Sequence, residues 1–232
     1  MTWSNNKQVE AYLKPRQLKE HEKELLQMIQ ADHPEFRGRV LDIGCGSGHF
    51  LGAMSRFYPE ADYVGIDLSD EMLQIAREQL AQVRAQLLKK DAAAYQPEAP
   101  FDIEIASGIL SIFEEFEPVL DEWISWLKPG GRLYIFGRFN SAPVDTLIRF
   151  RNHAVGNGEW ESGLTAYSIQ TVEKFLQSRG VQYSFKRFRL NLDLPKKGNP
   201  IQTYTVKLED GSRMVLNGAN IVAEHYFLSI QK

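Results

Sequence analysis

From Arg39 onward, short apolar runs alternate with longer stretches in which apolar residues recur at helical spacing. The apolar runs predict strands at 40–43, 63–67, 86–89, 101–106 and 132–136, and the stretches between them predict helices over 47–57, 69–82 and 119–127. Strands separated by helices of this length need right-handed crossovers, which produce a parallel sheet with helices on both faces. The pattern therefore predicts a doubly wound α/β fold.

The N-terminal region follows a different pattern. Residues 8–31 are mostly polar with apolar residues at helical spacing, and Pro15 interrupts them. Because proline breaks a helix interior, we expect two helical pieces ahead of the first strand.

The rhythm changes again after Arg138. Residues 140–166 lack a period, and a helix over 169–178 then follows, with a strand at 183–190 and a last strand at 224–230. Two further apolar runs, 203–208 and 212–216, flank Glu209-Asp210-Gly211, which is a hairpin signal. This hairpin is extra to a minimal doubly wound domain, and we interpret it as a lid or an edge decoration.

Composition and charge exclude several classes of protein but do not identify a function. The chain has 232 residues, 43% of them hydrophobic and 25% charged, and a formal net charge of -3, which gives no global reason to expect a nucleic-acid partner. Cys45 is the one cysteine, and the histidines have no metal-ligand spacing, so we expect no disulfide and no metal. No stretch has a secretory pattern or approaches the ~20 apolar residues of a spanning helix, so we expect a cytoplasmic protein without membrane association.

The first predicted strand runs into a glycine-rich turn, Asp42-Ile43-Gly44-Cys45-Gly46-Ser47-Gly48. Glycine allows a sharp turn and a close approach of the backbone to a ligand, and the helix that follows would point its free amides at that ligand. Dinucleotides are bound in this way, but their fingerprint is Gly-x-Gly-x-x-Gly. Here the third glycine comes one residue early, and Asp42 precedes the first, which suits a cationic amino-acid ligand better.

Three motifs together carry a resemblance to a known family. The run 40–48 resembles the first motif of class I S-adenosylmethionine-dependent methyltransferases, Tyr63-Val64-Gly65-Ile66-Asp67-Leu68-Ser69 resembles their second, and 126–132 resembles the turn before their fifth strand. They occur in order over roughly residues 38–138. The resemblance implies a Rossmann-like methyltransferase fold with a mostly parallel, seven-stranded sheet, and S-adenosylmethionine as methyl donor, released as S-adenosylhomocysteine.

The resemblance also implies roles for individual residues. Asp67 would hold the ribose hydroxyls, Asp91 the adenine amino group, and Tyr12 the methionine carboxylate. The full set expected to border the cofactor is Tyr12, Asp42, Gly44, Gly46, Gly48, Asp67, Leu68, Met72, Asp91, Ala92 and Ser107. Structural alternatives stay open for several of them, since Asp42 could order its own loop, Met72 could fill the core and Gly48 could serve packing.

The acceptor side is less legible in the sequence. Family members that methylate nucleic-acid bases or protein glutamine carry Pro-Pro-Tyr after the fourth strand, where this chain has Ser107-Gly108-Ile109, which favours a small-molecule acceptor. Residues that could overhang the carboxyl edge of the sheet come from the region after the fifth strand and from the late hairpin. The candidates for substrate binding are Arg138, Asn140, Trp160 and Tyr167, and those for a general base are His225 and Tyr204.

We therefore expect one domain over 1–232, with a helical cap at 1–37, a cofactor-binding core at 38–138 and a substrate-side half at 139–232 that carries the hairpin at about 203–216. The expected function is methyl transfer to a nitrogen or oxygen of a small molecule, by a monomer or homodimer. The alternatives are an RNA or protein methyltransferase of the same fold, a non-catalytic cofactor-binding protein, and an NAD-dependent oxidoreductase.

Overall fold

A mixed β-sheet lies at the centre of the computed structural model, which describes residues 17–151, 153, 159–196 and 202–232. In chain order its elements are α1 (Glu20–Asp32), β1 (Arg39–Ile43), α2 (His49–Phe57), β2 (Asp62–Asp67), α3 (Asp70–Gln79), β3 (Ala85–Lys89), β4 (Phe101–Ser107), a 3-10 turn (Leu110–Ile112), α4 (Glu117–Trp126), β5 (Leu127–Asn140), β6 (Arg149–Phe150), β7 (Glu161–Ser162), β8 (Tyr167–Ser168), α5 (Ile169–Arg179), β9 (Gln182–Phe188), β10 (Thr203–Lys207), β11 (Arg213–Asn217) and β12 (His225–Gln231).

The strand order confirms the predicted doubly wound fold. The main sheet runs β3-β2-β1-β4-β5-β12-β9, and the short β8 pairs with β5 as an eighth strand. Strands β1 to β5 are parallel to their neighbours, whereas β12 lies antiparallel between β5 and β9. The order reverses between β1 and β4, and in open α/β sheets ligands bind outside the carboxyl ends of the strands at such a point.

The helices cover both faces of this sheet. Because side chains alternate along a strand, Val40 packs with α1, α2 and α3 on one face, while Leu41 packs with α4 and α5 on the other. Asp32, at the end of α1, accepts a hydrogen bond of 2.7 Å from the Tyr134 hydroxyl and pairs with Arg132 at 2.5 Å. These contacts hold the end of α1 against β5.

Several element boundaries differ from the predicted ones for local reasons. The helix after the glycine turn begins at His49 rather than Ser47, because Gly48 has a left-handed φ of 72° and cannot extend it. Strand β5 runs from Leu127 to Asn140, well beyond the predicted 132–136, because both of its ends find pairing partners. The helix predicted over 169–178 is confirmed as α5, and Ser168 caps it, since its hydroxyl accepts a hydrogen bond of 3.0 Å from the Thr171 amide.

The late hairpin is confirmed as an element but stands apart from the main sheet. Thr203–Lys207 and Arg213–Asn217 form their own two-stranded sheet. A second small pair, β6 with β7, lies in the stretch that the sequence left without a period. The first predicted N-terminal helical piece lies outside the described residues. Within the described ranges, every helix is too short or too polar to cross a membrane.

Strand β4 buries a carboxyl group that has no partner. Glu104 is 0% exposed, and among the described residues neither of its side-chain oxygens accepts a hydrogen bond. Its register neighbours are Leu41 and Leu133, on the face covered by α4 and α5. Burial raises the pKa of this carboxyl well above its usual range, and the Lys232 ammonium offsets only part of that effect.

The buried carboxyl predicts a pH-dependent effect of Glu104→Gln. Because the folded-state pKa of Glu104 lies above the unfolded value of about 4.5, its protonated form favours folding below that pH, and this contribution is lost as the pH rises. The neutral glutamine removes the titration. In thermal denaturation we expect the free energy of unfolding of the variant to exceed that of the wild type by an amount that grows between pH 5 and pH 8. This difference should reach about 1 kcal/mol or more.

The matched control is Glu71→Gln, at an exposed position in the first turn of α3. It should show no gain that grows with pH. A constant difference between wild type and Glu104→Gln across the range would contradict the assignment of a raised pKa to Glu104.

Candidate active site

The glycine-rich turn is tied to the end of β2 by backbone hydrogen bonds. The amides of Gly44 and Cys45 both donate to the Ile66 carbonyl, at 2.8 and 3.0 Å. Gly44, Gly46 and Gly48 have φ values of 74°, 51° and 72°, a region that side chains other than glycine rarely adopt. The turn therefore needs its glycines for backbone conformation before any ligand is considered.

Two of these glycines differ in what surrounds them. A methyl group built on Gly46 would have no atom within 4 Å, so this part of the turn faces open space. A methyl group on Gly48 would lie 2.7 Å from Leu80 and 3.1 Å from Ala76, at the end of α3. Gly48 therefore serves helix packing in the described structure, while Gly46 borders the space where a ligand could approach the backbone.

Asp67 joins the glycine turn to α3. One of its carboxylate oxygens accepts a hydrogen bond from the Gly46 amide and the other accepts one from the Ser69 amide, both at 2.9 Å. Ser69 in turn caps α3, with its hydroxyl 3.2 Å from the Met72 amide. The neighbouring Leu68 is 48% exposed, so apolar surface lies next to the carboxylate.

The end of β3 reaches the same edge. The Lys90 amide donates to the Asp67 carbonyl at 3.1 Å. The following Asp91 is exposed and accepts a hydrogen bond from the Ala93 amide at 2.9 Å, while Ala92 is buried and its carbonyl accepts one from the Trp123 indole at 2.9 Å. Parallel pairing thus brings the residues expected around the adenine next to those expected around the ribose.

Three acidic side chains come together beneath the turn. Asp42 is 4% exposed in β1, and burial, together with the nearby Asp67 and Glu22, raises its pKa to about 8. Glu22 comes from α1, is itself buried, and accepts a hydrogen bond of 2.7 Å from the Lys19 amide. The site therefore holds negative charge that is partly neutralised by a proton on Asp42 at neutral pH.

Glu22 was not among the residues that the sequence patterns predicted for the site. It occupies one position of the helical apolar row formed by Leu18, Leu25, Leu26 and Ile29. An acid in the buried row of a helix is the signal that could have revealed it.

A cavity of about 230 Å³ opens past the end of β4 and along the last residues of β5. It is lined by Gly108, Ser111, Ile112, Phe136, Gly137, Arg138, Leu164 and His225. Ile109, next to the lining Gly108, has its Cδ1 atom 2.9 Å from the position of a methyl built on Gly44. The cavity and the glycine turn are therefore separated by little more than one side chain.

Arg138 and His225 face each other across β5 and β12, where they form a register pair. Burial lowers the pKa of Arg138 to about 10. Burial, and then the positive charges of Arg138 and His21, lower the pKa of His225 to about 4. His225 is therefore neutral at pH 7 and a weak proton acceptor, which does not favour its expected role as general base.

Aromatic stacking connects this cavity to α1. The His21 ring stacks on Phe136 with a centroid distance of 4.2 Å, and Phe136 stacks on His225 at 5.5 Å. His21, Ser111, Ile112 and Leu164 were not among the candidates from the sequence. They come from three separate segments, and only the fold brings them together.

Of the six side chains predicted to meet the acceptor, the structure places Arg138 and His225 in the cavity wall. The Asn140 amide is used within its own loop, bonding the Val144 carbonyl and the Ala142 amide at 2.8 and 3.0 Å. Tyr167 is buried in the core, where its hydroxyl donates to the Phe113 carbonyl.

The other two lie on the outside of the protein. Trp160 is 57% exposed under the Arg151 guanidinium, at 4.9 Å from the ring centroid. Tyr204 lies on the separate hairpin and donates to Asn220 at 3.0 Å. Tyr12 lies outside the described residues. Contact of any of these residues with a substrate stays a prediction.

Comparison with known proteins supports the class that the fold and the turn define. Residues 40–131 match the family described as "Methyltransferase domain". This part of the chain is therefore similar to methyltransferase domains, and the resemblance to class I methyltransferases is confirmed.

Individual relatives agree with this assignment over part of the chain. A trans-aconitate 2-methyltransferase of Azoarcus sp. is 36% identical over 41% of this chain and 37% of its own length. A malonyl-[acyl-carrier protein] O-methyltransferase of Priestia megaterium is 26% identical over 50% of this chain and 42% of its own length. The chain thus spans less than half the length of these curated relatives.

The fold similarity extends further than the sequence similarity. The crystal structure of an S-adenosylmethionine-dependent methyltransferase from Clostridium acetobutylicum superposes with a TM-score of 0.62, covering 97% of this chain and 98% of that one, at 13% identity. Similarity at this level of identity supports the fold.

The contrast between Gly46 and Gly48 predicts separable effects of the same substitution. Gly46→Ala adds a methyl to open space and should chiefly weaken S-adenosylhomocysteine binding, because the methyl faces the ligand. Gly48→Ala adds a methyl against Leu80 and should lower the free energy of unfolding by ~1–3 kcal/mol more than Gly46→Ala does. Thermal denaturation and calorimetric titration measure the two effects.

Both variants share the strain of alanine at positive φ, of ~1–2 kcal/mol, so each is the other's control for that strain. Equal destabilisation by the two variants, with unchanged ligand affinity in Gly46→Ala, would contradict the division of roles.

Proposed function

We propose that this protein is an S-adenosylmethionine-dependent methyltransferase that acts on a nitrogen or oxygen of a small-molecule acceptor. The observation that carries the proposal is the 2.9 Å hydrogen bond between the Gly46 amide and Asp67. This bond brings a solvent-open glycine turn and the acid at the end of β2 to the border of the same space. In such an arrangement the acid can bind a ribose while the backbone of the turn approaches the ligand closely.

The charges around this space suit the methyl donor. S-adenosylmethionine, when bound, supplies a methyl group on a cationic sulfonium and also carries an ammonium group. Asp42, Asp67 and Glu22 give the site negative charge that these cations would offset. A dinucleotide would instead bring the negative charge of its pyrophosphate close to the same acids.

The apolar surface beside the acids suits the adenosine part. Leu68 is exposed immediately after Asp67, and Met72 is half-exposed one turn into α3. Asp91 and the backbone at Ala92 lie at the neighbouring strand end. These are positions at which the resemblance expects contacts to an adenine ring.

The cavity past β4 and β5 gives room for an acceptor. Its wall at Gly108 adjoins the turn through Ile109, so an acceptor there would lie next to the donor. The work left to the protein is to align the nucleophile at about 3 Å from the methyl carbon and to exclude water. The acceptors in the names of the two relatives, trans-aconitate and malonyl-[acyl-carrier protein], support a metabolite-like acceptor group.

The rival functions make different predictions for ligand binding. A silent cofactor-binding protein would bind S-adenosylhomocysteine and methylate no small molecule, and an oxidoreductase would bind NAD. Cytoplasmic location, and a monomeric or homodimeric state, stay predictions from the sequence.

The ribose assignment predicts the effect of Asp67→Ala. The variant should bind S-adenosylhomocysteine at least ~10-fold more weakly than wild type, because a hydrogen bond to a charged group contributes at least ~1.5 kcal/mol. Isothermal calorimetry measures the affinity, and NAD should give no heat with either protein.

The control is Asp70→Ala, which removes an exposed acid in the first turn of α3, the helix that follows Asp67. Asp70 pairs with Lys89 there. The S-adenosylhomocysteine affinity of this variant should stay within twofold of wild type. Tight NAD binding by the wild type without S-adenosylhomocysteine binding would refute the proposed function. An unchanged affinity in Asp67→Ala would refute the ribose assignment alone.

The acid cluster predicts proton release when S-adenosylmethionine binds. With a pKa of about 8, Asp42 carries a proton at pH 7, and a bound cation lowers that pKa because it favours the carboxylate. We expect the binding enthalpy to vary with the ionisation enthalpy of the buffer, corresponding to release of up to one proton.

Asp42→Asn should abolish this variation, because the amide does not titrate. S-adenosylhomocysteine, which lacks the sulfonium charge, should release fewer protons than S-adenosylmethionine from the wild type. Proton release by Asp42→Asn equal to that of the wild type would show that another group titrates.

A further inference from the structure

Among the described residues, the Arg138 guanidinium is the charged group of this cavity wall and has no acidic partner. In the described part of the chain it forms no ion pair and no hydrogen bond to an acidic group, and burial lowers its pKa to about 10. Other arginines of the sheet are paired at short range, as Arg132 is with Asp32 at 2.5 Å and Arg187 with Glu224 at 2.6 Å. A half-buried cation without a counter-charge costs stability, and such groups cluster at functional sites.

The rest of the cavity wall does not compensate this charge. Its other lining residues are glycine, serine, apolar residues, phenylalanine and His225, so no carboxylate faces the guanidinium there. His225, the register partner of Arg138, is neutral at pH 7 and adds no second positive charge. The cavity therefore presents a single positive charge in a largely apolar wall.

We propose that this cavity binds an acceptor that carries a carboxylate, and that Arg138 holds that carboxylate. This inference rests on the proposed methyltransferase function and names the class of its acceptor. A planar guanidinium matches a carboxylate with two parallel hydrogen bonds, which fixes orientation as well as position. Arg138 at the end of β5 would thus orient the acceptor toward the donor beside Gly44.

A carboxylate fits this wall better than a phosphate does. One guanidinium balances one carboxylate charge, whereas a phosphate monoester carries about two charges at pH 7 and presents three acceptor oxygens. Phosphate sites on this kind of fold use several backbone amides at a helix N-terminus, and the lining around Arg138 includes no regular helix start beyond the short 3-10 turn.

The test is calorimetric titration of the protein saturated with S-adenosylhomocysteine. The probes are monomethyl malonate, crotonate and benzoate, each with a single carboxylate, their neutral methyl esters, and inorganic phosphate with phenyl phosphate. We expect at least one carboxylate to bind at least ~10-fold more tightly than its ester and than both phosphates. Arg138→Gln should reduce that affinity at least ~10-fold, and Arg138→Lys should restore part of it, because lysine keeps the charge without the fork.

The matched control is Arg56→Gln, which removes an exposed arginine in the last turn of α2, away from the cavity. It should leave carboxylate affinity unchanged. In Arg138→Gln, S-adenosylhomocysteine affinity should also stay within twofold of wild type. A large loss of that affinity would show that Arg138 serves the cofactor instead, and would overturn the proposal.

His225 supplies a second readout that does not depend on activity. A carboxylate held by Arg138 stabilises the imidazolium, so the NMR-measured pKa of His225 should rise from about 4 when the bound carboxylate is present. In Arg138→Gln the same concentration of carboxylate should leave the pKa unchanged.

The outcomes separate the two proposals. If S-adenosylhomocysteine binds but every carboxylate binds no better than its ester, the carboxylate proposal is wrong and the methyltransferase proposal stands. Tighter binding of phosphate or phenyl phosphate than of every carboxylate would also overturn the carboxylate proposal. If S-adenosylhomocysteine does not bind, the proposed function itself fails.

Discussion

The Asp67 carboxylate is the point on which the arrangement of this site depends. Its two oxygens accept hydrogen bonds from the amides of Gly46 and Ser69, and so connect the turn after β1 with the start of α3. Ser69 extends the connection into the helix by capping it at Met72. One side chain thereby fixes the path of the backbone on both sides of the space that the proposed cofactor needs. A carboxylate has further lone pairs, so these bonds leave room for hydroxyl donors from a ligand.

Charges of opposite sign lie at neighbouring positions in this part of the fold. Asp42, Asp67 and Glu22 gather beneath the turn, where burial and mutual repulsion keep a proton on Asp42. Arg138 lies in the cavity wall, and the described residues that line this cavity include no acid. Local rules of folding would favour pairing or removing such charges, and proteins break those rules mainly at functional sites. A cationic methyl donor would balance the acids beneath the turn, and an anionic acceptor would balance Arg138.

The sequence patterns predicted where in the fold the residues expected around the cofactor lie far better than where the residues expected around the acceptor lie. The glycine turn, Asp67 and Asp91 each follow a strand directly, and parallel strands bring their carboxyl ends to one edge whatever the details of packing. Their positions could therefore be inferred from the order of the elements. Glu22 was not predicted as a site residue because its partners lie in other elements. Its position in a buried row of the helix could nevertheless have been recognised from the sequence.

The cavity lined by Arg138 and His225 depends on strand pairings that no local pattern specifies. The sequence predicted that Trp160, Tyr167 and Tyr204 lie near the carboxyl edge of the sheet. The fold instead places Tyr167 in the core, where its ring packs against Phe116 with a centroid distance of 4.7 Å, and places the other two at the surface. Arg138 and His225 line the cavity because β12 runs antiparallel to β5 in a register that sets them opposite each other. A shift of one residue in that register would turn His225 to the other face of the sheet. The composition of this cavity wall therefore depends on strand pairing between distant segments, and the register of the last strand sets the neutral His225 opposite Arg138.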